Sequence, residues 1–145
     1  INLSCKFSNN KNPYIKAQKK TFKLLKKYRQ QGLNLSNLIF MQVESPLRPN
    51  DFFIKKVCLG AKNREIIKVG NINTYRDYSW VTEIAKAIFL TSKLSSKDYI
   101  ISAGKKFSGR EILAAAYKLN KLDFKNYYSV NKKYFRHKEN KIDQI

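Results

Sequence analysis

From Asn12-Pro13 onward the chain alternates apolar and polar positions with a helical period. Tyr14, Ala17, Thr21, Leu24, Leu25 and Tyr28 recur every three to four residues, with lysines on the other side. Asn12 suits the cap of such a helix, Pro13 its first turn, and Gly32 its end. The period then changes. Leu35–Val43 is a mostly apolar run and reads as one buried strand. Asn50 or Asp51 is placed to cap a second helix through Phe53, Val57 and Cys58, with a turn expected at Gly60–Asn63.

Ile66–Val69 reads as a short strand and Gly70-Asn71 as a bend. Val81, Ile84, Ala85, Ile88 and Phe89 mark a third amphipathic helix with Trp80 at its entrance. Tyr99-Ile100-Ile101 reads as another buried strand. Ser108-Gly109-Arg110-Glu111 has the Ser-x-x-Glu spacing of a capping box, which starts a helix over Ile112–Leu119, and Tyr127–Val130 reads as a last strand. Helices and strands alternating in this way predict an α/β fold with parallel strands covered by helices.

Composition adds limits. At 145 residues, with 43% hydrophobic content, the chain is large enough for a core. No apolar window approaches the run of about 18 residues that a spanning helix needs, and Ile1–Asn10 lacks the layout of a signal peptide, so a soluble cytoplasmic protein is expected. Starting on Ile1, the chain reads as a fragment of something longer. Cys5 and Cys58 are far apart and His137 is the sole histidine, so reduced thiols and no metal site are expected.

The formal charge of +20 would by itself suggest nucleic acid. Nearly all of that charge is lysine, spread along a chain also rich in Asn and Ile, a bias that adenine- and thymine-rich codons produce. Nucleic acid is therefore not the expected partner.

Two sequence motifs fail on inspection. Gly104-Lys105-Lys106-Phe107-Ser108-Gly109 follows a strand and opens a helix, but Arg110-Glu111 stands where a phosphate loop needs Lys and then Ser or Thr. No Gly-x-Gly-x-x-Gly is present either. A third motif is partial. Tyr14 at the head of a helix has Gln18, not lysine, four residues on, so no ammonium stands one turn away to lower the phenol's pKa. On its residues alone Tyr14 reads as a core aromatic.

Several blocks taken together carry a resemblance. Asn12-Pro13-Tyr14, Gly32-Leu33, Glu44-Ser45-Pro46-Leu47-Arg48 through Phe52 and Lys56, Gly70-Asn71-Ile72 with Arg76-Asp77-Tyr78, Asp98 to Gly104, and Tyr134-Phe135-Arg136 with Glu139 stand in one order. In that order they resemble the C-terminal part of the GDP-mannose 4,6-dehydratase family, which are extended short-chain dehydrogenases/reductases. The resemblance implies a partial Rossmann domain, parallel sheet with flanking helices, interleaved with a small substrate-binding domain. Residues 1–43 would be the remnant of the Rossmann domain, with the catalytic-tyrosine helix and its following strand, and 44–145 the C-terminal substrate-binding portion with an interleaved Rossmann helix and strand.

The family's lyase reaction oxidises the sugar at C4 with bound NADP, eliminates water across C5 and C6, and returns the hydride. Carried over by position, Tyr14 is the catalytic residue, and Gln18 and Arg48 lie at the NADP side. Gln42, Glu44, Lys56, Arg76, Arg136 and Glu139 lie at a GDP-mannose-like nucleotide sugar. The resemblance admits a homo-oligomer and leaves the sugar open. Gln18 for lysine, Val43 for the family's cofactor histidine, Gln42 for its asparagine and Leu47 for its first arginine imply a chain that does not complete the cycle alone. A non-catalytic nucleotide-sugar-binding or assembly subunit is the alternative, and a basic nucleic-acid-binding protein a more distant one.

Overall fold

The computed structural model describes residues 13–135. The expected cap Asn12 and the candidates Arg136 and Glu139 lie outside the described residues, as do Cys5 and His137. In chain order the elements are α1 (Pro13–Gln30), β1 (Asn37–Phe40), β2 (Gln42–Glu44), α2 (Phe53–Asn63), β3 (Ile67–Val69) and β4 (Tyr75–Trp80). Then follow α3 (Val81–Thr91), β5 (Asp98–Ile101), β6 (Lys106–Ser108), α4 (Gly109–Leu119) and β7 (Tyr128–Val130). Short 3-10 turns occupy Phe124–Asn126 and Lys132–Tyr134. The described chain divides into two compact units, residues 13–43 with 77–105 and residues 44–76 with 106–135.

In the first unit β1 and β5 pair in parallel, from Asn37 opposite Asp98 to Phe40 opposite Ile101. The predicted strand over 35–43 is thus two short strands, because the pairing with β5 ends at Phe40 and the chain bends at Met41. Nor is β5 buried on both sides: Ile100 is exposed, and an apolar run alone does not reveal how many faces are covered. α1 closes as the sequence predicts. Gly32 takes a left-handed φ of 91°, and the Leu33 N–H reaches back to the Tyr28 carbonyl at 3.2 Å. Arg29 donates to the Leu35 carbonyl at 2.8 Å and pairs with Asp98 at 3.0 Å, tying the end of α1 to the start of β5.

α1 nevertheless has no buried residue. Tyr14, expected in a core, is 60% exposed. The helix turns Ile15, Gln18, Phe22 and Leu25 to half-buried positions, while most of the predicted stripe faces outward.

The second unit holds the denser core. Val57, Ala61, Ile67, Val69, Ile72, Leu113 and Tyr117 form one buried cluster between α2, α4 and the parallel pair β3–β7. Gly60 lies inside α2, not in the expected turn, and the helix runs on to Asn63 before Arg64 ends it in a left-handed conformation. Gly60 is there for close packing. A Cβ on it would collide with Ile67 Cγ2 and lie 2.8 Å from the Tyr117 hydroxyl. α2 also starts without the expected Asn50 or Asp51 cap: Phe52 holds the cap position, with its N–H on the Pro49 carbonyl at 3.1 Å. The capping box of α4 is complete, Glu111 N–H on Ser108 Oγ at 3.1 Å and Ser108 N–H on Glu111 Oε2 at 2.7 Å.

Candidate functional site

The segment Glu44-Ser45-Pro46-Leu47-Arg48 leaves β2 and turns into α2. Ser45 Oγ accepts the Leu47 N–H at 3.2 Å, and the Ser45 carbonyl accepts the Arg48 N–H at 3.2 Å with Pro46 at the bend. The turn brings Arg48 back over the strand end. Its guanidinium lies 3.6 Å from Glu44 Oε1 and 4.0 Å from the centre of the Phe52 ring. Glu44 is buried, and burial pushes its carboxyl above the usual range, an effect that the charge of Arg48 and its hydrogen bond only partly offset. Arg48 Nε is buried without a hydrogen-bond partner.

Four residues further along α2, Lys56 is held on two sides. Its Nζ donates to the Lys68 carbonyl at 2.7 Å and lies 4.4 Å from the centre of the Tyr134 ring. Beside it is a cavity of about 370 Å³ lined by Asn50, Lys56, Glu65, Ile67, Lys68 and Tyr134 among others. Gly70 makes this arrangement possible, since a Cβ there would collide with the Tyr134 carbonyl oxygen. Lys55, one position before Lys56 on the helix, donates to the Pro46 carbonyl at 2.7 Å and fixes the preceding turn.

Other candidates have different surroundings. Arg76 is half-buried and donates from Nη1 to the Tyr75 carbonyl at 3.0 Å. Asp77 accepts the backbone N–H groups of Ala103 and Gly104 at 2.9 and 2.8 Å, so its carboxylate fixes the loop after β5. Gln42 is half-buried on β2. Tyr14 and Gln18 lie one turn apart on α1. The structure therefore brings Glu44 with Arg48, and Lys56 with Lys68 and Tyr134. Lys68 was not among the sequence candidates, and Tyr134 stood only within the block Tyr134-Phe135-Arg136, with no site role given to it. For Lys68 the local signal is its outward position between two buried residues on β3.

Comparison with known proteins supplies the family. The family model described as GDP-mannose 4,6 dehydratase matches residues 6–145. The chain belongs to that family. The GDP-mannose 4,6-dehydratase of Sinorhizobium fredii (strain HH103) is 25% identical over 114 residues, which covers 74% of this chain and 32% of the relative. This chain thus spans about a third of that relative's length. Among solved structures, the dTDP-glucose 4,6-dehydratase of Bacillus anthracis in complex with NAD superposes with a TM-score of 0.76 at 16% identity, covering 86% of this chain and 40% of the other. A UDP-glucose 4-epimerase of Thermotoga maritima with UDP-glucose gives a TM-score of 0.70 at 18% identity, covering 81% and 40%. Both likenesses establish the fold, the α/β architecture of Rossmann-type dehydratases and epimerases, with the parallel strands expected from the sequence.

Proposed function

We propose that residues 1–145 form the nucleotide-sugar-binding portion of a GDP-mannose 4,6-dehydratase-like protein and do not complete the dehydratase cycle by themselves. The observation that carries this reading is Lys56. Its ammonium is held between the Lys68 carbonyl and the Tyr134 ring beside a cavity of about 370 Å³, a volume within the range of small-ligand sites. Lys56 and Lys68 offer charge to a diphosphate, and Asn50 and Glu65 offer hydrogen-bonding groups to sugar hydroxyls. Arg76 and, outside the described residues, Arg136 and Glu139 complete the set that the family resemblance assigns to the nucleotide sugar, with Glu44 and Gln42 at the strand end.

The residues described do not fit NADP chemistry. Tyr14 has Gln18 where the reaction needs a cation to hold a tyrosinate, and the Arg48 guanidinium is engaged by Glu44 and Phe52. No hydride or proton step is assigned to this chain. Calorimetry on the whole chain with GDP-mannose, GDP and NADPH tests the reading. GDP-mannose should saturate one site, and Lys56→Ala or Arg76→Ala should each weaken it by about ten- to a hundredfold. Lys125→Ala, on an exposed turn, should change only the salt dependence. Saturation by NADPH in the low micromolar range would overturn the cofactor half. Equal small effects from all three substitutions would overturn the site.

A further inference from the structure

We infer that Glu65 selects the ribose of the ligand: its carboxylate accepts the 2′- and 3′-hydroxyls as a pair, so that a ribonucleotide is held and its 2′-deoxy counterpart is not. The inference rests on the nucleotide-sugar reading and adds to it the order in which the ligand lies. The cavity follows one face of α2, where Lys56, Leu59 and Gly60 stand three and four residues apart, and is joined by Glu65, Ile66 and Lys68 on the segment that leads into β3. Its charges are separated. Lys56 Nζ is fixed at one end by the Lys68 carbonyl and the Tyr134 ring. Asn63, seven residues on, lies about 10 Å further along the axis of α2, and its amide donates to Glu65 Oε1 at 3.4 Å, which places the carboxylate at the other end.

Among the described residues that line the cavity Glu65 is the one acid, and it is anchored through its backbone. Its N–H donates to the Gly60 carbonyl at 2.9 Å, and its carbonyl accepts the hydroxyl of the fully buried Tyr117 at 3.0 Å. Apart from the long Asn63 contact, no hydrogen bond within the described residues engages the carboxylate. A carboxylate so placed repels phosphate, so the diphosphate belongs at Lys56 and Lys68. What it attracts is a pair of adjacent donors. Next to its diphosphate a nucleotide offers the cis-diol of ribose, whose two O–H groups suit the two oxygens of one carboxylate. Leu59 and Ile66, the latter 68% exposed, supply an apolar wall there. It suits the flat face of a base beside the ribose better than the hydroxyl-bearing rim of a hexose.

Calorimetry on the whole chain with GDP, 2′-deoxy-GDP and inosine diphosphate tests the assignment. GDP should bind at least about tenfold more tightly than 2′-deoxy-GDP, the effect of one lost charge-assisted hydrogen bond, and inosine diphosphate should match GDP. Glu65→Ala should bring GDP and 2′-deoxy-GDP to within about twofold of each other, and Glu65→Gln, of the same shape without the charge, should narrow their difference. Lys56→Ala should weaken both by the same factor, leaving the preference intact. Binding of neither nucleotide by the native chain would overturn the nucleotide-sugar reading and this inference with it. Equal binding of GDP and 2′-deoxy-GDP by the native chain, or a preference that survives both Glu65 substitutions, would overturn the inference alone. So would a preference for GDP over inosine diphosphate that Glu65→Ala removes, since the carboxylate would then hold the base.

Discussion

Glu44 joins burial to charge in one side chain, and its pH behaviour follows from the direction of its shift. Burial raises its folded pKa above the ordinary value near 4.5, and Arg48 offsets this only in part. The folded chain therefore binds a proton more readily than the unfolded one between those two values. The stability this contributes is fully present below the ordinary value and is lost as pH rises through the raised one. Urea midpoints of the native chain should thus fall, relative to Glu44→Gln, as pH rises across that acidic window. A difference between the two that does not vary with pH would mean that burial is not what controls Glu44. Asp77 has a structural task. Asp77→Ala removes acceptors from the Ala103 and Gly104 amides, and for bonds to a half-buried carboxylate a loss of roughly 1–2 kcal/mol is expected. Urea unfolding measures it, and an unchanged midpoint would show that water replaces the carboxylate without cost. The Arg-Asp pair was legible in the sequence as a motif, but the use of Asp77 was not. Its partners are set by where β5 delivers the chain, just as the hold of Tyr134 on Lys56 depends on two distant segments meeting.

Local rules made some elements readable and misdirected others. The capping box at Ser108 and the glycine end of α1 were legible because both are complete within a few residues of chain. The turn expected at Gly60–Asn63 failed because glycine serves bending and close packing alike, and only the approach of Ile67 and Tyr117 distinguishes them. β4 and β6 went unpredicted. Tyr75–Trp80 is largely polar with a single buried residue, and three-residue strands leave no period to count. The helical spacing of α1 was legible, yet most of the stripe it marks is exposed, since periodicity reveals a face and not what covers it. Gly60 gives a direct test at this scale. On an open helix Gly→Ala would stabilise by roughly 0.5–1 kcal/mol. In α2 the added methyl collides with β3 and crowds Tyr117, at a cost of roughly 1–3 kcal/mol. Gly60→Ala should therefore lower the urea midpoint, and a raised midpoint would mean that α2 does not pack on β3 as closely as described.

At the scale of the molecule the two units differ in what they bury. Of the nine buried hydrophobic residues described, Val57, Ala61, Ile67, Val69, Ile72, Leu113 and Tyr117 lie in the second unit, and only Ile39 and Ile84 in the first. Large apolar side chains of the first unit stay exposed on both helices and on β5, among them Leu24, Phe89, Leu90 and Ile100. Each buried aliphatic or aromatic side chain contributes roughly 1.5–3 kcal/mol, so among the described residues the first unit has less to set against the entropy of ordering its chain. The Arg29–Asp98 pair, with both partners partly exposed, adds little. Opening should therefore begin there. In native-state hydrogen exchange the amides of α1, β1, α3 and β5 should exchange through openings of lower free energy than those of α2, α4, β3 and β7, and limited proteolysis should cut first within 13–43 or 77–105. Uniform protection across both units would mean that the chain opens as one cooperative body and not unit by unit.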